Sequence, residues 1–121
     1  MTKIGTPIRP YSNAVISNNL VFVSGQLPSN PTNDEVINTF EAAVIQTINN
    51  LKTVLVNNKS SINKVVKVTV YLKQTSNLDL TLFNRIYTQE LKMPYPARSL
   101  VVVSDLPRNA LVMIDAIAEV E

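Results

Sequence analysis

The sequence predicts an α+β domain in which one mixed β-sheet carries two helices on the same face. Apolar runs typical of strands occur within residues 14–24, 65–72 and 97–118. Two longer stretches, 40–55 and 80–91, instead repeat apolar residues every three or four positions, as amphipathic helices do. The resulting order, β-β-α-β-α-β-β, is most economically satisfied by a single sheet with both helices packed on one side.

Composition limits both the domain count and the chemistry. The length of 121 residues predicts a single domain, 1–121, with a core that needs no metal or disulfide support. The chain has no Cys and no His, which excludes thiolate nucleophiles, imidazole bases and metal sites built from either residue. Its 11 basic and 9 acidic residues are scattered, so the net charge of +2 gives nucleic-acid binding little support. Without a membrane-length apolar run or a signal-peptide core, a cytoplasmic protein is expected.

The N-terminal part predicts an extended arm followed by a β-hairpin. One glycine and two prolines within 1–10 disfavour a helix there. The runs 14–16 and 20–24 are expected to pair around Ser17-Asn18-Asn19, because Asn tolerates left-handed turn positions. Gly25, one of only two glycines, ends the second strand, which suggests a backbone conformation or a close approach that a Cβ would obstruct.

Two amphipathic helices are expected next. Asn38 is a plausible N-cap of the first helix, and Asn57-Asn58 is expected to end it. The second helix is expected to begin near Asn77 or Asp79 and to end at Leu91. The predicted inner faces consist of Phe40, Ala43, Val44, Ile48, Leu51, Val54 and Leu55 in the first helix, and of Leu80, Phe83, Tyr87 and Leu91 in the second.

The remaining strands predict a half-buried strand and a C-terminal hairpin. Residues 65–72 alternate, which places Val66, Val68, Val70 and Leu72 on one face. The apolar runs on either side of Leu106-Pro107 are expected to pair antiparallel, with Arg98 opposite residues 113–115. Arg98, Met113 and Asp115 are therefore expected to be neighbours.

The C-terminal strands also predict association. Residues 100–103 are apolar on both sides, and Leu111, Met113 and Ile117 form a second apolar face opposite that of Val112, Ile114, Ala116 and Ala118. Because two helices cover only one side of a sheet, the other side would expose apolar area worth about 25 cal/mol per Å² on burial. We therefore expect an obligate oligomer.

Several motifs follow one another in a defined order along nearly the whole chain. They are Pro10-Tyr11-Ser12-Asn13-Ala14-Val15, Val23-Ser24-Gly25-Gln26-Leu27-Pro28, Asn50-Leu51 with Val54-Leu55, residues 65–72, Asn84 with Tyr87, Pro96-Ala97-Arg98-Ser99, Leu106-Pro107 and Ile114-Asp115-Ala116-Ile117-Ala118. In this order and spacing, the sequence resembles the RidA family, also called YjgF/YER057c/UK114, the reactive-intermediate deaminases.

The resemblance implies a YjgF-like, or chorismate-mutase-like, subunit that assembles as a homotrimer with a barrel-like core and three ligand clefts between subunits. It also implies hydrolysis of reactive enamines and 2-imino acids, among them 2-aminoacrylate, 2-iminopropanoate and 2-iminobutanoate, to 2-keto acids and ammonia. No metal or organic cofactor is implied, which agrees with the absence of Cys and His.

The resemblance assigns the substrate carboxylate to Arg98, whose planar guanidinium suits bidentate pairing, and lines the cleft with Tyr11, Ser24, Gly25 and Asn84. Structural alternatives remain open for each residue. Arg98 could pair with Asp115 or lie along the sheet edge, and Tyr11 could anchor the arm. Ser24 and Gly25 could serve the turn, and Asn84 could bond the backbone.

The sequence departs from the family at Met113. Active deaminases carry a glutamate there that orients or activates water, and a thioether cannot do so. Asp115 replaces a second family glutamate and shares the strand parity of Met113, but it lies about 6 to 7 Å further along the strand. The segment between Asn84 and Arg98 is also shorter than in typical members, and Arg9 replaces a frequent glycine.

Three functions therefore compete. The first is an imine deaminase in which Arg98 anchors the carboxylate and backbone donors polarise the reacting centre. The second is a non-catalytic trimer that binds small carboxylates or 2-keto acids, which Met113 favours. The third, a role in binding nucleic acid or another protein, is disfavoured by the nearly balanced charge.

Overall fold

The computed structural model describes residues 10–121 and the backbone of a strand at residues 2–4. The strands are β1 (Thr2–Ile4), β2 (Ala14–Ser17), β3 (Leu20–Gln26), β4 (Val65–Lys73), β5 (Ala97–Val103) and β6 (Val112–Glu119), and the helices are α1 (Phe40–Asn57) and α2 (Leu80–Leu91). Short 3-10 turns occupy Ile62–Lys64 and Pro107–Asn109. The predicted α+β class is confirmed.

The N-terminal hairpin forms where the sequence predicts it. β2 and β3 pair antiparallel, and Asn18 and Asn19 between them have φ angles of 53° and 64°. These left-handed values are the ones that Asn tolerates in a two-residue hairpin turn. Within the expected extended arm, β1 pairs with β2. Arg9 and the rest of the arm lie outside the described residues.

Helix α1 buries the whole stripe that its sequence predicts. The expected N-cap was wrong by one residue: Thr39 precedes the helix, and its side chain makes no capping hydrogen bond. The helix ends at Asn57 as expected, but the left-handed φ of 60° falls on Lys59. Tertiary packing of the apolar stripe, more than a side-chain cap, therefore fixes where α1 begins.

Helix α2 follows the predicted cap. The Asp79 carboxylate accepts a hydrogen bond from the Leu82 N–H at 3.0 Å. The predicted inner face was wrong at one position: Leu80 is 45% exposed, and Ile86, which was not predicted, is buried. Leu80 is the first residue of the helix and lies beyond the edge of the core.

The sheet corrects the predicted C-terminal hairpin. In the part of the chain that the structure describes, six strands are ordered β1-β2-β3-β6-β4-β5. β6 lies between β3 and β4 and pairs antiparallel with both, whereas β5 pairs parallel with β4 at the edge. The connection through α2 makes β4 and β5 a βαβ unit, whose strands must be parallel. β5 and β6 therefore do not pair.

Both helices cover one face of the sheet. That face carries Val68, Val70 and Leu72 of β4 and the alternate residues Val112, Ile114, Ala116 and Ala118 of β6, all buried. Val66 does not join them: a register shift between Val65 and Lys67 makes it a bulge residue that is 41% exposed.

The other side, the open face, has no covering layer among the described residues. Phe22, Val101, Met113 and Ile117 lie on it together with polar residues of the middle strands. This is the second apolar face that the sequence predicts. In the described part of the chain, no helix has the length and apolar character needed to cross a membrane.

Candidate functional site

Arg98 lies on edge strand β5 and projects from the helix face of the sheet. It pairs in register with buried Val68, and residues in register share a face. Its Cζ is 4.7 Å from the centroid of the Tyr87 ring and 5.9 Å from that of Phe83. Its Nη1 donates to Asn84 Oδ1 at 2.9 Å. Three residues of one helix therefore hold the guanidinium, two by their ring faces and one by an amide.

The guanidinium remains available to an anion. Among the described residues, no carboxylate forms an ion pair with Arg98, and its side chain makes no hydrogen bond other than the one to Asn84. Arginine has five N–H donors, so four of those of Arg98 have no protein acceptor among the described residues. Burial raises the pKa of the Tyr87 hydroxyl, and the Arg98 charge acts in the opposite direction.

A cavity of about 280 Å³ opens beside the guanidinium. Its wall is mainly apolar and consists of Asn84, Tyr87, Thr88, Tyr95, Pro96 and Arg98. Of these, Arg98 and Asn84 were predicted as site residues, and the structure brings them into contact. Tyr95 and Pro96 were missed as wall residues. Their closeness to Arg98 in sequence was the available signal, because residues that lead into a strand lie near its first side chains.

Ser24 and Gly25 lie in a bulge of β3. Val23 pairs with Ala116 but Gln26 pairs with Ile114, so two residues of β3 stand opposite Asp115 alone. The Ser24 hydroxyl donates to the Ser12 carbonyl at 2.6 Å, which ties the bulge to the segment before β2. That bond supports the structural alternative for Ser24.

Gly25 is required for a close approach. A Cβ at this position would lie 2.7 Å from the sulfur and 2.9 Å from the Cγ of Met113. Met113 thus packs directly over the Gly25 backbone and places a thioether beside the bulge. This contact is the close approach that the position of Gly25 at a strand end predicts.

Asp115 is engaged on the open face. The Tyr71 hydroxyl donates to its Oδ2 at 3.1 Å. Desolvation and the Asp115 carboxylate both raise the pKa of Tyr71, so the hydroxyl keeps its proton and remains the donor.

The expected neighbourhood of Arg98, Met113 and Asp115 within the chain was wrong. Asp115 pairs with Thr69 and Met113 with Tyr71, both on the open face, whereas Arg98 projects from the helix face. β4 also separates β5 from β6 in the sheet. The physical reason is the parallel pairing of β5, which replaced the expected hairpin.

Tyr11 lines a second cavity, of about 240 Å³, at the end of β3. Gly25, Asp34 and Arg108 also line it, and Arg108 Nη2 donates to the Asp34 carbonyl at 2.6 Å. In the sheet, β3 and β5 are separated by three strand spacings, which is about 14 Å across the strands. The chain therefore carries two separate groups of candidate site residues: Arg98 with Asn84 in one, and Tyr11 with Gly25, which Met113 contacts, in the other.

Comparison with known proteins gives one family. The family model described as Endoribonuclease L-PSP matches residues 2–120. The chain is 35% identical over 116 residues to the 2-iminobutanoate/2-iminopropanoate deaminase of Dermatophagoides farinae, covering 95% of this chain and 89% of that protein.

Solved structures agree with the same comparison. RidA from an Antarctic Psychrobacter superimposes with a TM-score of 0.87 at 35% identity, over 98% of this chain and 94% of that one. E. coli TdcF with bound serine superimposes with a TM-score of 0.85 at 29% identity, with the same coverage.

Among the residues that the structure describes, no cluster of three or more acidic side chains could hold a metal ion.

Proposed function

The chain belongs to the Endoribonuclease L-PSP family, the RidA/YjgF family, and from that premise we propose that it is a homotrimeric hydrolase of 2-imino acids. Water adds to the C=N carbon, ammonia leaves, and the 2-keto acid remains. The observation that carries the proposal is the Arg98 guanidinium, held by Phe83, Asn84 and Tyr87 without a carboxylate partner in the described chain.

This hydrolysis requires only a modest acceleration by the protein. Imino acids hydrolyse in water unaided, so anchoring the carboxylate and orienting the imine can supply the acceleration. Arg98 provides the anchor, because its outward N–H groups match the two oxygens of a carboxylate. The deaminase of Dermatophagoides farinae, 35% identical, supports this choice of reaction.

The two separate groups of candidate site residues support a cleft shared between subunits, in which each group forms one half. Within one subunit, the Arg98 half and the Tyr11 half lie on separate parts of the sheet. A trimer that buries the open face would bring β5 of one copy against β3 and β6 of the next. The exposed apolar side chains on that face, among them Phe22 and Val101, support such an interface.

The decisive experiment is hydrolysis of 2-iminopropanoate and 2-iminobutanoate, generated in situ by an amino-acid oxidase. We expect the wild type to accelerate keto-acid formation and Arg98→Ala to lower kcat/KM about a hundredfold or more, because the anchoring donors are lost. Arg98→Lys keeps the charge but not the two-pronged geometry and should restore only part of the rate. Arg85→Ala is the matched control, because Arg85 is an exposed arginine of α2 that does not line the cavity.

A second candidate is a trimer that binds 2-keto acids or other small carboxylates without turnover. It is favoured by Met113, which places a thioether over Gly25 where the active members carry a glutamate. A wild type that is inert towards both imines, binds pyruvate through Arg98 and gains activity on Met113→Glu would establish this candidate. A chain without activity and without Arg98-dependent binding would contradict both.

A further inference from the structure

The lining of the cavity beside Arg98 combines two kinds of group. The guanidinium and the Asn84 amide are polar, whereas Tyr95 contributes an aromatic ring and Pro96 an apolar one. Tyr95 is 46% exposed, so much of its side chain contacts solvent and not the core. A binding site with one cationic group and one apolar wall fits a small carboxylate that carries an apolar group.

The wall is held by the backbone around it. Tyr95 lies between Pro94 and Pro96, whose rings fix their own φ angles and so restrict the segment. Tyr87, on the same cavity, is 4% exposed and is anchored in α2. A restricted aromatic wall can be covered by a ligand at a low cost in conformational entropy.

The cavity is also larger than the carboxylate contact requires. Its volume is about 280 Å³, and Thr88 and Pro96 line it together with Arg98. A methyl or ethyl substituent on an anchored imino acid would leave most of this wall in water. An aromatic or branched substituent would cover it and remove apolar surface from solvent.

Resting on the proposed function, we propose that this cavity is a side-chain pocket and that the preferred substrates are 2-imino acids with a bulky apolar side chain, such as those formed by oxidation of phenylalanine or leucine. Arg98 binds the carboxylate, and Tyr95 packs against the side chain. The reaction itself is the same hydrolysis to keto acid and ammonia.

The test compares kcat/KM for the imines that an amino-acid oxidase forms from phenylalanine and from alanine, together with binding of phenylpyruvate and pyruvate by calorimetry. We expect a preference of about tenfold or more for the aromatic compound, the discrimination that an apolar pocket can supply. Tyr95→Ala should remove most of this preference, because it should lower kcat/KM for the phenylalanine-derived imine much more than for the alanine-derived imine. Tyr95→Phe should retain it, because the ring remains.

Met93→Ala is the matched control, because Met93 is 79% exposed and does not line the cavity. Equal or better hydrolysis of the alanine-derived imine would overturn the pocket and leave the proposed deaminase standing. A preference that survives Tyr95→Ala would overturn the role of Tyr95. If neither imine is hydrolysed and neither keto acid binds, the proposed function fails and the pocket fails with it.

Discussion

At the scale of single residues, the site depends on side chains that cannot be exchanged for others of similar polarity. Arg98 is positioned by two ring faces and one amide, and lysine has no planar group to stack on Tyr87. Gly25 and Met113 form a matched pair, because the missing side chain of one makes space for the thioether of the other. The residue types at Gly25 and Arg98 therefore follow from close contacts, with Met113 in one case and with Tyr87 in the other.

The Gly25–Met113 contact predicts a coupled effect on stability. Gly25→Ala should lower the free energy of unfolding by about 1 kcal/mol, because its Cβ would overlap the Met113 side chain. In a Met113→Ala background, the same change should be neutral or slightly stabilising, since alanine restricts the unfolded chain more than glycine does. Urea denaturation of the four proteins in the cycle measures the coupling. Equal effects in both backgrounds would show that Met113 is not the obstacle.

At the scale of elements, α2 joins the fold to the site. Its buried residues, Phe83, Ile86, Tyr87 and Leu91, fix the helix in the core, and Asn84 on its exposed side meets Arg98. Any change that frays the beginning of α2 therefore acts close to the residues that hold the guanidinium.

The N-cap of α2 makes this testable. Asp79→Ala should cost about 1 kcal/mol of stability, because the Leu82 N–H loses its acceptor. Asp79→Ser, which can still cap, should lose much less. Thermal unfolding of both variants provides the measurement. A Ser variant as unstable as the Ala variant would mean that the carboxylate acts through charge and not through the cap.

Local patterns predicted the elements well but not their neighbours. The stripe of α1 and the Asn18-Asn19 turn could be read from the sequence because their causes lie within a few residues. The partner of β5 could not be read from the sequence in this way. It depends on the α2 crossover, which places β5 parallel to β4 at the sheet edge, whereas β6 lies on the other side of β4. Arg98 could be chosen as a candidate site residue from its motif, but its contacts with α2 could not be predicted, for the same reason.

At the scale of the whole molecule, the open face is the surface that favours association with another copy. Phe22 is 41% exposed and pairs in register with Ile117 on that face. A single folded copy would leave this surface in water, where its apolar area favours burial against another copy. The proposed shared cleft would then exist only in the assembly.

The assembly can be broken at one position. We expect the wild type to sediment as a trimer with three times the 13.4 kDa chain mass. Phe22→Lys should shift it towards monomer, because it places a charge in the proposed apolar interface. Val56→Lys is the control, since Val56 is 65% exposed on α1, away from the open face. A monomeric wild type, or a trimeric Phe22→Lys protein, would contradict burial of the open face.

The position of β6 has a consequence for biosynthesis. Of the six strands, the ribosome reaches β6 last, yet β6 lies in the interior of the sheet between β3 and β4. In a nascent chain that has not reached residue 112, β1, β2 and β3 can form one small sheet and β4, α2 and β5 a separate βαβ unit, and β3 and β4 each lack the neighbour that β6 provides. Such unpaired strand edges invite wrong pairing. Chains truncated before β6 should therefore aggregate or be degraded.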